Sequence, residues 1–337
     1  MLVEGVLNPI NCPHSCAHPT LTIRYTVLSI VIITMNTRGL LDSLLQTIYA
    51  DGDLLPVIED VIVVDNGSSD GTAAMIADKY PRVSCVRNEE NRGFAAAVNK
   101  GFRSSGGKIV LLLNSDTRLI PGQMGRMVEF MEQNPGVGIA GPQLVHEDMR
   151  PQRSFALTPS LALEVLPRSL LERVLPGRFR TKGSGLTGPL DVESLIGAAL
   201  MVRREVFDLL GGFDERFFFY LEETDFCLRA GKEGYGVVFF PGAKLMHLQG
   251  KTVGRSWVRG RIEYSISLYK FMGKYHSAPY CGVFIFVRTV KAFLFLLAFT
   301  VLPFLLFNGS IRRKYRYYAR LLLWHLRGFP DSGGLRL

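Results

Sequence analysis

Short apolar runs alternate with amphipathic stretches over the first part of the chain. Residues 27–33 (VLSIVII) form a β-branched run of the kind expected of a strand buried on both faces. Leu40, Leu41, Leu44, Leu45 and Ile48 then recur at the spacing of one helix face. Residues 61–64 predict a second strand ending in Asp65, and residues 70–80 a helix opening after the turn Asn66-Gly67-Ser68-Ser69. Residues 83–86 predict a third strand, 94–102 a helix, and 109–113 a fourth strand ending in Asn114-Ser115-Asp116. Pro121 sits where proline suits the first turn of the next helix. Strands alternating with helices over about 110 residues predict an α/β fold, an open and mostly parallel sheet with helices on both faces.

Ligands of such sheets bind beyond the carboxyl ends of the strands. Thr34 and Asn36, Asp65 and Asn66, and Asn114 to Asp116 all fall there. Asp65 and Asp116, each closing a buried strand, read as functional, whereas Ser69 or Asp70 reads as the cap of the following helix. Residues 150–185 lack a steady period and carry three prolines after Pro151, as expected of an insertion or mobile loop beside the site. Sheet-like pattern returns at 192–196, followed by a helix over 203–210 and the turn Gly211-Gly212-Phe213-Asp214. An aromatic run over 217–220 then leads into a helix opening with Glu222-Glu223-Thr224-Asp225.

Two motifs are decoys. Gly136-Val-Gly138-Ile-Ala-Gly141 matches GxGxxG, but a dinucleotide site needs a strand before it and a helix after it. Here a helix and Asn134-Pro135 precede and Pro142 follows, so the segment reads as a strand with small residues. Gly250-Lys251-Thr252 lacks the upstream glycine of a phosphate-binding loop, since Leu245 stands there.

Composition adds a membrane question. At 337 residues and 47% hydrophobic content, the chain has material for one large domain plus an appendage. The net charge is +9, yet residues 251–337 hold 15 Lys+Arg against only Glu263 and Asp331, which leaves the first 250 residues mildly acidic. Cations interleaved with apolar residues suit anionic lipid better than nucleic acid, and no nucleic-acid partner is expected. Residues 292–307 are 16 apolar residues interrupted by Pro303, preceded by Arg288 and Lys291 and followed by Arg312-Arg313-Lys314-Tyr315-Arg316. Spanning takes about 20 apolar residues, so a single span, an interfacial helix pair and a buried oligomer helix all stay open. Five cysteines at irregular spacing make a poor disulfide framework and favour a reducing compartment. Cys12-Pro13-His14-Ser15-Cys16-Ala17-His18 has zinc-type ligands but the spacing of no common zinc module, and the first 20 residues hold no apolar stretch of the length expected of a secretory signal.

Taken in order, the segments SIVIITMN, VIVVDNGSSDGT, NEENRGFAAAVNKGF, VLLLNSDTRL and GAALMVRREVFDLLGGFDERFFFYLEETDFCLRAGKEGYGV, with the later His247, resemble the family 2 glycosyltransferases of GT-A fold, particularly their bacterial rhamnosyltransferase-like branch. The resemblance runs from about Leu28 to Ser256, roughly two thirds of the chain. It implies an inverting transfer from a nucleotide-sugar, with dTDP-rhamnose the donor that the branch implies, to a saccharide or lipid-linked saccharide in cell-surface polysaccharide synthesis. It implies further that Asp116 and His247 bind Mg²⁺ or Mn²⁺, a Lewis acid for the departing diphosphate. The family's DxD stands here as Asn114-Ser115-Asp116, keeping one carboxylate. Thr34, Asn36, Asp65, Asn91, Arg92, Asn114 and Ser115 are then the donor-binding set. Glu223 takes the place of the general base, with Glu222 beside it and Asp225 shaping the acceptor pocket.

The expected organisation is a tail over 1–25, a GT-A domain over 26–250 and a basic, membrane-associated helical region over 251–337. The enzyme would work on the cytoplasmic face of the inner membrane. The degenerate Asn-Ser-Asp keeps a non-catalytic nucleotide-sugar-binding or scaffolding membrane protein as the alternative.

Overall fold

The structure, a computed structural model, describes residues 27–174, 186–248, 257–301 and 308–335. The tail with Cys12 and Cys16, part of the 150–185 segment and Gly250-Lys251-Thr252 lie outside the described residues. The first half runs β1 (Leu28–Thr34), α1 (Arg38–Ala50), β2 (Ile58–Asn66), α2 (Thr72–Lys79), β3 (Ser84–Asn88), α3 (Phe94–Arg103), β4 (Ile109–Asn114), β5 (Thr117–Leu119), α4 (Gln123–Gln133) and β6 (Val137–Val145). The second half continues with β7 (Phe155–Ala156), α5 (Leu161–Val165), α6 (Arg168–Val174), β8 (Leu190–Asp191), β9 (Ser194–Leu195), β10 (Ala199–Arg203), α7 (Arg204–Leu210), α8 (Glu222–Lys232) and β11 (Gly236–His247). The helices α9 (Trp257–Tyr275), α10 (Ala278–Val301) and α11 (Gly309–Leu326) follow.

The strands lie in the order β3-β2-β1-β4-β10-β6-β11-β5, with β8 against β11. The first four form the parallel sheet expected from the apolar runs, and every residue of β1 is buried. Alternation along β1 sends Ile30 and Ile32 into the core with α1 and α4, and Val31 and Ile33 into the core with α3 and α7. Each such side chain contributes roughly 1.5–3 kcal/mol when fully buried. Gly101 lets α3 approach β1, because a Cβ there would collide with Val31.

Beyond β4 the sheet is mixed. Strand β10 runs antiparallel to both β4 and β6, whereas β6 and β11 pair in parallel. Residues 137–145 form a strand, as read, and the small residues have a packing cause: a Cβ on Gly138 would meet Tyr235, and one on Gly141 would meet Leu195. The 150–185 segment contains β7, α5 and α6, with α5 capped by Ser160 and tied to α10 through Leu161 N, which donates to Tyr280 Oη at 2.8 Å.

Two features of this topology place the site. Strands β2, β1 and β4 are neighbours, with Thr34 opposite Asp65 and Ile33 opposite Asn114, so the three polar strand ends share one edge. Strand β11 shifts register between Phe240 and Lys244, and its far half pairs with β5. That turn of the strand sets His247 opposite Thr117, next in chain to Asp116.

Candidate active site

The polar ends of β1, β2 and β4 are stitched together. Asp65 is fully buried; its Oδ1 accepts from Ser68 N at 2.9 Å. Asn36 takes a left-handed conformation (φ 53°), donating from its backbone N to Ser68 Oγ and accepting from Ser69 N, both at 2.9 Å. The hydroxyls of Thr34, Thr37 and Ser115 form a chain with 2.7 Å steps, linking β1 to the Asn114-Ser115-Asp116 turn. Asp70 accepts from Arg38 N and Thr72 N, so it ties down the starts of both α1 and α2, in keeping with a capping role. Thr37 and Ser68 are not singled out by the sequence, since neither lies on a strand and the partner that joins each to another element is about 30 to 80 residues away.

Two buried acceptors are left open at this edge. Asp65 Oδ2 receives no hydrogen bond and has only Arg87 Nε at 3.8 Å; Asn114 Oδ1 is buried without a partner while Asn114 N donates to Ala198 O at 3.0 Å. A buried acceptor left unpaired costs about 1–3 kcal/mol, so both atoms fit a ligand that brings hydroxyl or N–H donors. Asn91 and Arg92 are placed differently. Asn91 Oδ1 accepts from Asn66 Nδ2 at 2.9 Å and Gly93 N at 3.0 Å, and Arg92 N donates to Asn66 Oδ1 at 3.1 Å. The Arg92 side chain is 64% exposed and 3.8 Å from Glu90, on the solvent side of this loop.

Asp116 Oδ1 stands 3.6 Å from His247 Nε2. Burial pushes His247 below its ordinary pKa, against the attraction of Asp116 and with added repulsion from His146, so the ring is neutral and free to act as a ligand. Cis ligands on an octahedral ion with bonds of ~2.1 Å are ~3 Å apart, so this oxygen and nitrogen, at 3.6 Å, would have to draw together slightly to share one Mg²⁺ or Mn²⁺. No group of three or more His, Cys, Asp or Glu surrounds a common point among the described residues. A cation held here by two side chains would complete its shell with water and substrate phosphate, as Mg²⁺ commonly does.

The carboxylates at the start of α8 follow Tyr220 and Leu221, both left-handed at φ 74° and 67°. Two consecutive non-glycine residues in that region mark a strained turn that aims the helix terminus. Glu222 is 4% exposed with Oε2 unpaired; burial raises its pKa well above the usual range, and the charges of Glu223 and Glu263 add to this. Glu223 is less enclosed, and burial lifts it to about 7 while backbone N–H groups at the helix start hold it down. Adjacent carboxyls cannot both ionise cheaply, so Glu222 keeps its proton and Glu223 is the one that ionises near neutrality.

Asp225 is placed otherwise than the sequence implied. It is fully buried, one oxygen accepting from Arg229 Nε at 2.8 Å and the other from Lys274 Nζ at 2.5 Å and Tyr275 Oη at 2.6 Å. Its carboxylate is occupied in clamping α8 to α9, so it stabilises the frame under the glutamates instead of lining an acceptor pocket.

The chain matches the Glycosyl transferase family 2 profile over residues 29–211, a span holding Asp65 and Asp116 and ending before Glu222. It is 30% identical over 237 residues to the N-acetylglucosaminyl-diphospho-decaprenol L-rhamnosyltransferase of Mycobacterium tuberculosis, covering 64% of this chain and 75% of that one. It is 26% identical over 193 residues to a dTDP-rhamnosyl transferase of Shigella flexneri, covering 56% of this chain and 60% of the other. A mannosyltransferase from Pyrobaculum calidifontis, solved with GDP-mannose and Mn²⁺, superposes with a TM-score of 0.58 at 17% identity, over 91% of this chain and 88% of that one, and so shares the fold. Sheet order, the shared strand edge and a profile match over more than half the chain agree, and the chain belongs to glycosyl transferase family 2.

Proposed function

We propose that this glycosyltransferase moves rhamnose from dTDP-rhamnose to a lipid-linked saccharide, with inversion at the anomeric carbon. The observation that carries the mechanism is the placement of Glu223. It leans on Gly197, and the next residue, Ala198, accepts the hydrogen bond from Asn114 N, so the base sits one residue across from the donor turn. Asp65 Oδ2 and Asn114 Oδ1, both open acceptors, take donor groups of the nucleotide and sugar. Asp116 and His247 hold Mg²⁺ or Mn²⁺, which when bound supplies Lewis-acid stabilisation of the diphosphate. Glu223 removes the acceptor hydroxyl proton, the new C–O bond forms, and the anomeric bond to the diphosphate breaks with release of the nucleoside diphosphate. A positioned base of this kind contributes ~10²–10⁴-fold. Attack opposite the leaving group by a single displacement inverts the centre.

The donor and acceptor rest on the relatives: one is named for rhamnosyl transfer to a diphospho-decaprenol acceptor and another for a dTDP-rhamnose donor. The last three helices support a membrane-surface setting on the cytoplasmic side, where nucleotide-sugars are made. Residues Ala278–Thr300 form a helix long and apolar enough to cross a bilayer, with mean hydropathy 2.0. One of its faces is engaged between Phe284 and Phe295, however. Phe284, Arg288 and Ala292 are buried, Thr289 Oγ1 meets His325 Nδ1 at 2.7 Å, and Phe295 packs on Tyr318 at 4.5 Å. Arg288 and Lys291, which interrupt the apolar run, both reach Glu164 of α5, at 3.0 and 3.1 Å. The opposite face exposes Val283, Phe286, Val290, Phe293 and Leu297, a stripe at helical spacing. Beside it, α11 presents Arg312, Arg313, Lys314, Arg316 and Arg320 to solvent. A helix held to protein on one side and apolar on the other lies in the plane of an anionic interface.

The deciding experiment is transfer of labelled sugar from dTDP-rhamnose to extracted lipid-linked acceptor, with wild type against Glu223→Gln and product stereochemistry read by NMR. Loss of transfer with donor binding kept, and an inverted product, support the reading. Transfer from a different nucleotide-sugar alone would overturn the donor assignment, and retained configuration would overturn the single displacement.

A further inference from the structure

Gln152 lies in the segment that showed no regular pattern, yet it is 7% exposed and fixed at both backbone atoms. Its N donates to Leu144 O at 2.7 Å, and its O accepts from Gln143 Nε2 at 2.8 Å. Its side chain bridges two histidines. Nε2 is 2.6 Å from His247 O, 3.0 Å from His146 Nδ1 and 3.3 Å from Val145 O, while Oε1 is 3.1 Å from His247 Nδ1.

This set of partners allows one arrangement of protons. Backbone carbonyls only accept, so the amide end that faces His247 O and Val145 O must be the NH₂ group. The reverse orientation would press two carbonyl oxygens together at 2.6 Å. Oε1 is therefore the atom facing His247 Nδ1, and a carbonyl oxygen there requires a hydrogen on that nitrogen. In a neutral ring the other nitrogen, Nε2, then carries the lone pair, and it is this atom that stands 3.6 Å from Asp116 Oδ1. A free neutral imidazole in water favours the opposite tautomer, with hydrogen on Nε2, which would block that lone pair.

We propose that Gln152 is a positioning residue that locks His247 in its Nδ1–H tautomer and aims the Nε2 lone pair at a divalent cation shared with Asp116. The inference rests on the metal reading of Asp116 and His247. It adds the residue that selects the ligating nitrogen, in the way that partners of metal-bound histidines fix the ring and its tautomer. The histidine's own carbonyl is caught by the same amide, so ring and backbone are held as one unit.

The test reads the tautomer and the metal separately. Protein labelled with ¹⁵N-histidine, free of metal, is examined by long-range ¹H–¹⁵N NMR, and Mn²⁺ binding with dTDP present is followed by electron paramagnetic resonance. Wild type is expected to show His247 as Nδ1–H. Gln152→Leu is expected to lose that signature and to bind Mn²⁺ roughly 10–100-fold more weakly, the usual cost of losing such a partner. Binding of dTDP without metal should be unchanged. Gln152→Met, closer to glutamine in shape, also lacks the acceptor for Nδ1 and is expected to behave as Gln152→Leu does while still binding dTDP, which a loss of folding would not allow. Wild-type His247 found as Nε2–H would overturn the proposal with no variant needed, and so would unchanged Mn²⁺ affinity in a folded Gln152→Leu protein. Wild type that binds no Mn²⁺ would overturn the metal reading itself, a result told apart because the tautomer is read in metal-free protein.

Discussion

Glu223 leans across Gly197: a Cβ on that glycine would stand 3.4 Å from Glu223 Cγ. The proposed base is thus held by packing against the strand edge that also carries Asn114, and the space is just enough for one methyl group. Gly197→Ala should leave kcat within a few-fold of wild type. Gly197→Val, with two more carbons, should push Glu223 off its line and lower kcat by ~10²-fold, the scale of a displaced catalytic group, while donor KM stays close to wild type. Steady-state kinetics of the two variants check this, and equal activity of both would show that Glu223 is not placed by this contact.

The Glu223 carboxyl is lifted to about 7, so it is mostly protonated below neutrality. A general base works ionised, so kcat/KM should rise about tenfold per pH unit up to pH ~7 and level off above it. Stability runs the other way. A carboxyl whose folded pKa is above its unfolded value contributes stability fully present below the unfolded value, about 4.5, and lost as pH rises through about 7. Melting temperature should fall between pH 5 and 8, and Glu223→Gln should flatten part of that fall. Denaturation scans at both pH values decide it; an unchanged slope in the variant would place the titration elsewhere, with Glu222 the next group to test.

Asp225 and Lys274 join α8 to α9 through a buried ion cluster with Arg229 and Tyr275. Removing one partner leaves uncompensated charge inside, at a cost of about 3–5 kcal/mol. Asp225→Asn should therefore lower the melting temperature markedly, and the activity of the remaining folded fraction should stay close to wild type. A stable but inactive Asp225→Asn protein would return this residue to the acceptor site.

Asp225 also shows where the sequence stops being legible. Arg229, four residues on, makes only an ordinary helix-surface pair in the sequence, and Lys274 and Tyr275 lie 49 and 50 residues away, so nothing local marks this acid as a clamp. The ends of β1, β2 and β4 could be read because parallel strands buried on both faces leave continuous apolar runs, and their last residues mark one sheet edge. Strand β10 escaped because Arg203 passes straight into α7 with no turn residue between. The pairing of Asp116 with His247 depends on the bend of β11 and was reached through family resemblance alone. Gln152 acts through hydrogen bonds to residues 6 and 95 positions away, which leave no periodic trace.

The membrane reading predicts two separable contributions. Each exposed cation of α11 near an anionic surface is worth about 1 kcal/mol, a factor of roughly five in partition. Replacing Arg312, Arg313 and Lys314 with Gln should thus cut binding to anionic vesicles by roughly 100-fold, and high salt should mimic the change. Phe286 and Phe293 lie on the exposed stripe, so the double change to Glu should abolish binding even at low salt, with transfer to a soluble acceptor analogue unaffected. Because Arg288 and Lys291 are held to Glu164 on the protein side, α10 would lie flat in the proposed arrangement, and carbonate washing should release the full chain from membranes. Retention after carbonate, with residues beyond 309 labelled only from the far side of sealed vesicles, would mean that α10 leaves the body and crosses the bilayer. The Glu164 contacts would then have to break, leaving two cations inside the span at a cost of about 2.5–3.5 kcal/mol each, which is why the in-plane arrangement is the expected one.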